Sequence, residues 1–208
     1  MAARDFSISN FMERVDALGG PAKKHKFSVE VKPPDSLISN VTADTINFLA
    51  KSVSFPGKAL ATTEYRYGGK FSLSVPYEVT LEPVTIKVMN TNDQSPRIFW
   101  NQWFNHIQNF DTYNMQYYEK FVGTVVISHY LDTEENIDPT KAAYQVTLHK
   151  AWPITMNAIE MSWENAEVMD FQVDINYEWW SATGESTSNY TSQRISDYQR
   201  TGQTNRGF

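Results

Sequence analysis

Histidines and carboxylates are the side chains that would anchor a metal site in this chain, because the sequence has no cysteine. That absence excludes disulfides, thiolate metal sites and a cysteine nucleophile. The histidines are His25, His106, His129 and His149, and no two have the short spacing that places metal ligands side by side. His129 and His149 lie in segments that read as strands, so a two-histidine site would need those strands to bring them level. Asp132, Glu134, Glu135 and Asp138 offer oxygen ligands for calcium. Their spacing is not that of an EF-hand loop, and an exposed acidic hairpin tip is the better reading. Asp174, Glu178 and Glu82 could supply the carboxylate pair of a glycosidase, but the separation such a mechanism needs is not set by sequence spacing. No nucleophile elbow, P-loop or dinucleotide-binding glycine pattern occurs. The expectation is no catalytic, cofactor or metal site.

The chain is 208 residues long, with 41% hydrophobic, 20% charged and 14% aromatic residues. That is enough chain for one well-cored domain with extensions. The aromatic content suits a β-rich core or large contact surfaces. A formal charge of −6 makes stable nucleic-acid binding a poor expectation, since that affinity comes from Lys and Arg on phosphates. No apolar run has the length of a membrane span, and Met1 to Asp16 has no secretory apolar core. The triplets at Asn40 and Asn189 that match a glycosylation acceptor are therefore read as chance, and a cytosolic birthplace fits.

The elements that would have to position any site are mostly strands. Asn10 to Leu18 reads as a short helix capped by Asn10 and ended by Gly19-Gly20. Phe27 to Lys32 alternates, with Phe27, Val29 and Val31 inward. Thr45 to Phe55 reads as a second strand. Thr62 to Tyr67 and Lys70 to Val75 read as a hairpin around Gly68-Gly69. Tyr77 to Leu81 and Val84 to Met89 flank Pro83. Ser95-Pro96 signals a helix start, with Ser95 as cap. That helix runs to about Gln108, and Phe99, Trp100, Trp103, Phe104 and Ile107 form an apolar face that must pack on a sheet. Phe121 to Leu131, Ala142 to Ala151, Glu160 to Trp163 and Val168 to Trp180 complete the strands. The pattern predicts a mainly β protein, an antiparallel sandwich or barrel with one flanking helix. The domain reading is residues 1–26 as an N-terminal arm with a short helix, 27–180 as the β domain, and 181–208 as a flexible Ser/Thr-rich arm.

Two strands are amphipathic in an informative way. Phe171, Val173, Ile175, Tyr177 and Trp179 alternate with Gln172, Asp174, Asn176 and Glu178. Tyr144, Val146 and Leu148 alternate with Gln145, Thr147 and His149. The polar faces are either ordinary solvated surface or the lining of a water-filled channel.

Whole segments carry a resemblance. KSVSFPG at 51–57 runs into KALATTEYRYGG, followed by VPYEVTLEPVTI at 75–86, RIFWNQWFNHI at 97–107, FVGTVVISHYL at 121–131 and AWPITMNAIEMSWENAEVMDFQVDINYEWW at 151–180. Their order and wording resemble the major tail tube protein of myovirus-type contractile-tailed bacteriophages, over roughly 27–180. The resemblance implies a structural subunit of hexameric rings, with one sheet from each subunit joining a ring-wide barrel around the lumen. It implies ring and stacking contacts with itself, a surrounding sheath, a tape-measure protein inside during assembly, baseplate proteins, and transient passage of DNA without specific binding. It implies no membrane, and a place in the virion tail after assembly in the host cytoplasm. Gln172, Asp174, Asn176 and Glu178 become candidates to face the lumen, with Asp174 and Glu178 as bands of negative charge. In the C-terminal arm, Tyr190, Ile195, Tyr198 and Phe208 become candidate inter-subunit anchors. The N-terminal helix and the long arm exceed what a minimal tube subunit needs, which leaves a baseplate-proximal initiator ring as an alternative. A monomeric carbohydrate-binding β-sandwich, using the many Trp and Tyr residues, is a second alternative, and an enzyme on a jelly-roll scaffold a third.

Overall fold

The computed structural model describes residues 7–17, 20–37, 47, 49–66, 68–69, 71–131, 142–164 and 167–183. Helices are α1 (Ile8–Ala17), α2 (Ser95–Ile107) and α3 (Tyr118–Phe121). Strands are β1 (Phe27–Lys32), β2 (Ala50–Val53), β3 (Lys58–Tyr65), β4 (Leu73–Leu81), β5 (Val84–Met89), β6 (Gly123–His129), β7 (Tyr144–Met156), β8 (Asp170–Asn176) and β9 (Trp179–Ala182). Every strand pair is antiparallel, as the alternating sequence predicts.

Two sheets share the long strand β7. In the first sheet, residues 144–151 of β7 pair with β6, which pairs with β1, and β9 lies on the other edge of β7. In the second sheet, Trp152 to Met156 pair with β8, which leads to β5 and then β2. The order β1-β6-β7-β8-β5-β2 is therefore one curved wall folded along β7. The fold line sits at Lys150, which adopts a left-handed φ of 51°, and at a register shift between Pro153 and Thr155. Such irregularities re-aim a strand by adding local twist.

The core lies inside this curve. Alternate residues of each strand enter it: Val29 and Val31, Val84, Ile86 and Val88, Val125 and Ile127, Val146 and Leu148, and Phe171, Val173 and Ile175. Helix α2 adds Phe99, Trp100, Trp103 and Ile107 to the same core. Trp100 and Trp103 stack with ring centroids 5.5 Å apart, and Phe99 meets both edge-on. Gly123 lets this cluster close. A Cβ there would strike the Lys32 carbonyl oxygen and come within 3.0 Å of the Trp103 ring.

Several expectations need correction. Helix α1 starts earlier than Asn10, because the Ser7 hydroxyl caps it by accepting from the Asn10 N–H at 3.3 Å. Ser95 is not the cap of α2. The helix includes it as its first residue, the cap position is Gln94 in left-handed backbone, and Asp93 just before accepts from the Ser95 N–H at 3.3 Å while Thr91 donates to the same carboxylate oxygen. Those donors hold the Asp93 carboxyl below its ordinary range. Glu160 to Trp163 is not a strand; it is part of the connection from β7 to β8. The segment Val168 to Trp180 is not one flat strand. It bends at Tyr177-Glu178, opposite the bend in β7, so β8 joins the second sheet and β9 the first. Of the expected Thr45 to Phe55 strand only Ala50–Val53 is strand, and 45, 46 and 48 lie outside the described residues. Ser181 and Ala182, expected in the arm, belong to β9.

The paired tryptophans differ in one respect. Trp103 Nε1 donates to the Phe121 carbonyl at 2.9 Å, whereas the buried Trp100 Nε1 has no partner among the described residues. Both Trp→Phe changes delete the same volume, but only Trp103→Phe orphans a buried carbonyl. Trp103→Phe is expected to be the more destabilising by about 1–3 kcal/mol. Urea unfolding of the two variants checks this, and equal midpoints would contradict it.

Candidate channel-lining face

The second sheet has one dry face and one wet face. Phe171, Val173 and Ile175 of β8 and Val84, Ile86 and Val88 of β5 are buried. The alternate residues Thr85, Lys87, Gln172, Asp174 and Asn176 are half-buried on the opposite face. Register places Thr85 opposite Asp174 and Lys87 opposite Gln172.

The acids on this face are locked. Asp174 Oδ1 accepts from Thr85 Oγ1 at 2.8 Å and from Gln172 Nε2 at 3.0 Å, and Oδ2 accepts from Thr155 Oγ1 at 2.6 Å. Three donors favour the charged form, with Thr155 foremost, and hold the carboxyl below its ordinary range. Asp170 Oδ2 receives Lys51 Nζ at 2.8 Å and Lys87 Nζ at 3.3 Å, and the Lys51 hydrogen bond leads in lowering its pKa. The wall is a mesh of hydroxyl, amide and paired charge, not a row of bare carboxylates.

Gln172, Asp174 and Asn176 thus share one face, as alternation predicts. Glu178 does not share the strand, which ends at Asn176. Its N–H donates to the His149 carbonyl at 3.1 Å, and its carboxylate pairs with Lys150 Nζ at 2.9 Å. Lys150 also approaches Glu119 at 3.5 Å and lies over the Tyr118 ring. This cluster pins the bend in β7 to the bend between β8 and β9. Trp179, expected on the apolar face, instead leaves the core and stacks on His149 with centroids 3.7 Å apart.

The other chemical candidates separate. His129 stands opposite Tyr144 and His149 opposite Thr124, five residues apart along β6, or about 17 Å at strand rise. Nε2 of His129 contacts the Lys23 carbonyl at 2.8 Å, and Nε2 of His149 contacts Ser181 Oγ at 2.9 Å. Burial pushes the His149 pKa down. Among the described residues no three His, Asp or Glu side chains gather as metal ligands. No helix among them is long and apolar enough to cross a membrane. The acidic run 132–138 and the anchors Tyr190, Ile195, Tyr198 and Phe208 lie outside the described residues.

Sequence reasoning missed the exposed apolar surface. The β3–β4 hairpin forms its own two-stranded sheet, touching the core through Leu81, and shows Leu60, Tyr65, Phe71, Leu73, Tyr77 and Val79 to the surroundings. Helix α1 buries nothing. Alternation was visible in β4, yet it marks an apolar face without saying what covers that face.

Because its folded carboxyl is lowered, Asp174 contributes stability above the unfolded value near ~3.9, and loses it as pH falls through the folded value. Thr155→Val removes the leading donor. The Asp174 pKa is expected to rise, followed by carbon-13 NMR titration of the carboxyl. An unmoved pKa would show that the hydroxyl is not engaged.

The sequence matches the phage tail tube protein family over residues 22–183. No curated protein matches the chain in sequence. The fold is similar to a chain of the cryo-EM structure of the anti-feeding prophage baseplate, with TM-score 0.57 and 15% identity over 79% of this chain and 97% of that one. It is similar to a chain of an extracellular contractile injection system, the PVC sheath–tube complex in its extended state, with TM-score 0.56 and 16% identity over 86% and 99%. A chain of the anti-feeding prophage tube-terminating cap gives TM-score 0.57 and 15% identity over 88% and 99%. Identities this low speak for a shared fold alone, whereas the family match spans most of the chain. This chain belongs to the phage tail tube protein family, as a structural subunit of the tail tube.

Proposed function

We propose that the subunits close into hexameric rings whose shared inner wall is the wet face of the second sheet, and that stacked rings form the channel for genome delivery. One observation carries this reading: a sheet with a core face, a hydrogen-bonded polar face and two open edges. Among the described residues β2 pairs only with β5, and Trp152 to Met156 pair only with β8. Open edges invite pairing with a further strand, and closure into a barrel removes them. The 6-fold symmetrised anti-feeding prophage baseplate contains a chain of this fold, which supports the ring order.

In this reading Gln172, Asp174 and Asn176 face the lumen with Thr85 and Thr155, while Glu178 stands past the end of that row. Lys51 and Lys87 against Asp170 and Asp174 leave the wall near neutral, with each acid held by donors. DNA phosphates would find few free cations to adhere to, so passage needs no specific binding. The sheath lies outside, the tape-measure protein inside during assembly, and the baseplate at one end. The subunit performs no chemical step. It assembles in the host cytoplasm and resides in the virion tail.

Native mass spectrometry and negative-stain microscopy of the purified chain are expected to show rings and tubes, and a tube map to place Gln172, Asp174 and Asn176 on the inner wall. Monomer at every concentration would overturn the ring reading; those residues on the outer wall would overturn the orientation.

Residues 184–208 have too few apolar side chains to fold alone. We expect them to order on a neighbouring subunit through Tyr190, Ile195, Tyr198 and Phe208. Deleting 184–208 should leave soluble subunits that stack poorly, measured as tube length by microscopy. Tubes of normal length would show the arm to be dispensable.

A further inference from the structure

The wall β1-β6-β7-β8-β5-β2 ends in two strands, β1 and β2, and their free edges are not alike. β1 pairs with β6 on one side. At the foot of that ladder the Lys26 carbonyl accepts from the Tyr130 N–H at 3.0 Å, so the even-numbered residues of β1 turn their backbone groups toward β6. Phe27, Val29 and Val31 turn theirs the other way, to an edge on which no strand lies among the described residues. A bare edge of this kind is a template for a strand of another chain.

That edge is nevertheless closed. The Asn47 side chain lies on it, and its Oδ1 accepts from the Val31 backbone N–H at 2.8 Å. Val29 is 1% and Val31 2% exposed as whole residues, so their main chain is covered as well. Asn47 stands three residues ahead of β2. Leu49 and Ala50 pack on the core and Ala50 pairs with Val88, which holds Asn47 in place from the β2 side. β1 and β2 therefore approach each other without pairing. Among the described residues no side chain caps the free edge of β2 in this way.

We infer that Asn47 is an edge guard, which shuts β1 against a strand from a second copy of this chain and leaves lateral joining to the second sheet. The shutting of β1 stands on the contact itself, and its consequence for joining rests on the ring reading above. One amide oxygen does two things here. It satisfies a buried backbone donor that would otherwise be left unpaired. It also occupies the donor that an incoming strand would have to use. The wall is thereby given one terminal strand that refuses a partner and one that can accept it, so copies cannot join through the wrong sheet.

The test uses the full chain. Asn47→Ala uncovers the Val31 donor, and Asn47→Asp keeps an acceptor beside it. In hydrogen exchange the Val31 amide of Asn47→Ala should exchange about tenfold faster, as expected for one lost hydrogen bond, and that of Asn47→Asp should not. Unchanged exchange in Asn47→Ala overturns the contact. Native mass spectrometry and negative-stain microscopy then read assembly. Asn47→Ala should give irregular aggregates at the expense of rings, and Asn47→Asp should keep the rings. Normal rings from Asn47→Ala overturn the guard and leave the ring reading intact. Monomer in place of rings, without aggregates, would mean that Asn47 acts on β2 and overturns the assignment to β1. A third variant, Asn47→Ala with Phe27→Pro, separates edge pairing from poor folding. Proline at the first residue of an edge strand deletes an outward donor and supplies no contact to the fold. This variant should regain discrete species, and aggregation that persists in it overturns the guard. An unaltered chain that makes neither rings nor tubes overturns the ring reading. The guard is then judged on whether Asn47→Ala turns the discrete species of that chain into aggregates that Phe27→Pro clears, and it falls if no such aggregates form.

Discussion

Strand β7 belongs to two sheets, and the way it turns from one to the other sets the geometry of the molecule. Its first half pairs with β6 and its second with β8. The turn is made by a non-glycine residue, Lys150, in left-handed backbone, a conformation that surrounding contacts must hold. Those contacts are present: Lys150 pairs with Glu178 at the matching bend between β8 and β9 and reaches Glu119 of α3. The two bends sit side by side, so β8 and β9 cover one edge of β7 along nearly its whole length. The curved wall that results wraps the Trp100–Trp103 stack of α2, and the core exists because the wall is curved.

The same bend frees one sheet face for other use. In the second sheet the inward residues are fully apolar and the outward ones are Thr, Gln, Asn and paired ions. A solvated face needs no such mesh, since water would satisfy the same groups. Tying Asp174 to Thr85, Thr155 and Gln172 fixes side chains across three strands and leaves the carboxylate little reach toward a passing anion. For the inner wall proposed above, that is a physical basis for smooth passage.

Among the described residues, much of the apolar surface finds no cover. The hairpin β3–β4, helix α1 and the connection from β7 to β8 all present large side chains outward. Soluble monomers rarely carry contiguous apolar surface of this kind, and its presence signals partner contacts. The ring reading proposed above offers a reason: a subunit that assembles with copies of itself would complete its burial against them.

Strand type, the antiparallel class, inward residues of β1, β7 and β8 and the apolar face of α2 were legible in the sequence, because a period of two or 3.6 states directly which side chains share a face. The resemblance carried by Lys51 to Trp180 was legible too, since it depends on residue order alone. Three things needed tertiary structure. Alternation continues through Tyr177 to Trp179, but Glu178 leaves the face of Asp174 and Trp179 the face of Phe171 because β7 bends opposite them, and a bend in a partner strand leaves no mark on the strand that follows it. The donors that hold Asp174 come from strands 19 and 89 residues away in sequence, a juxtaposition only the register creates. The hairpin β3–β4 shows the deepest limit. Tyr77, Val79 and Leu81 mark an apolar face, yet periodicity is a property of one strand, whereas burial is a property of whatever packs on it. Among the described residues only Leu81 of that face reaches the core, and Tyr77 and Val79 stay outward, so sequence determined the face and the tertiary structure decided which part of it is covered.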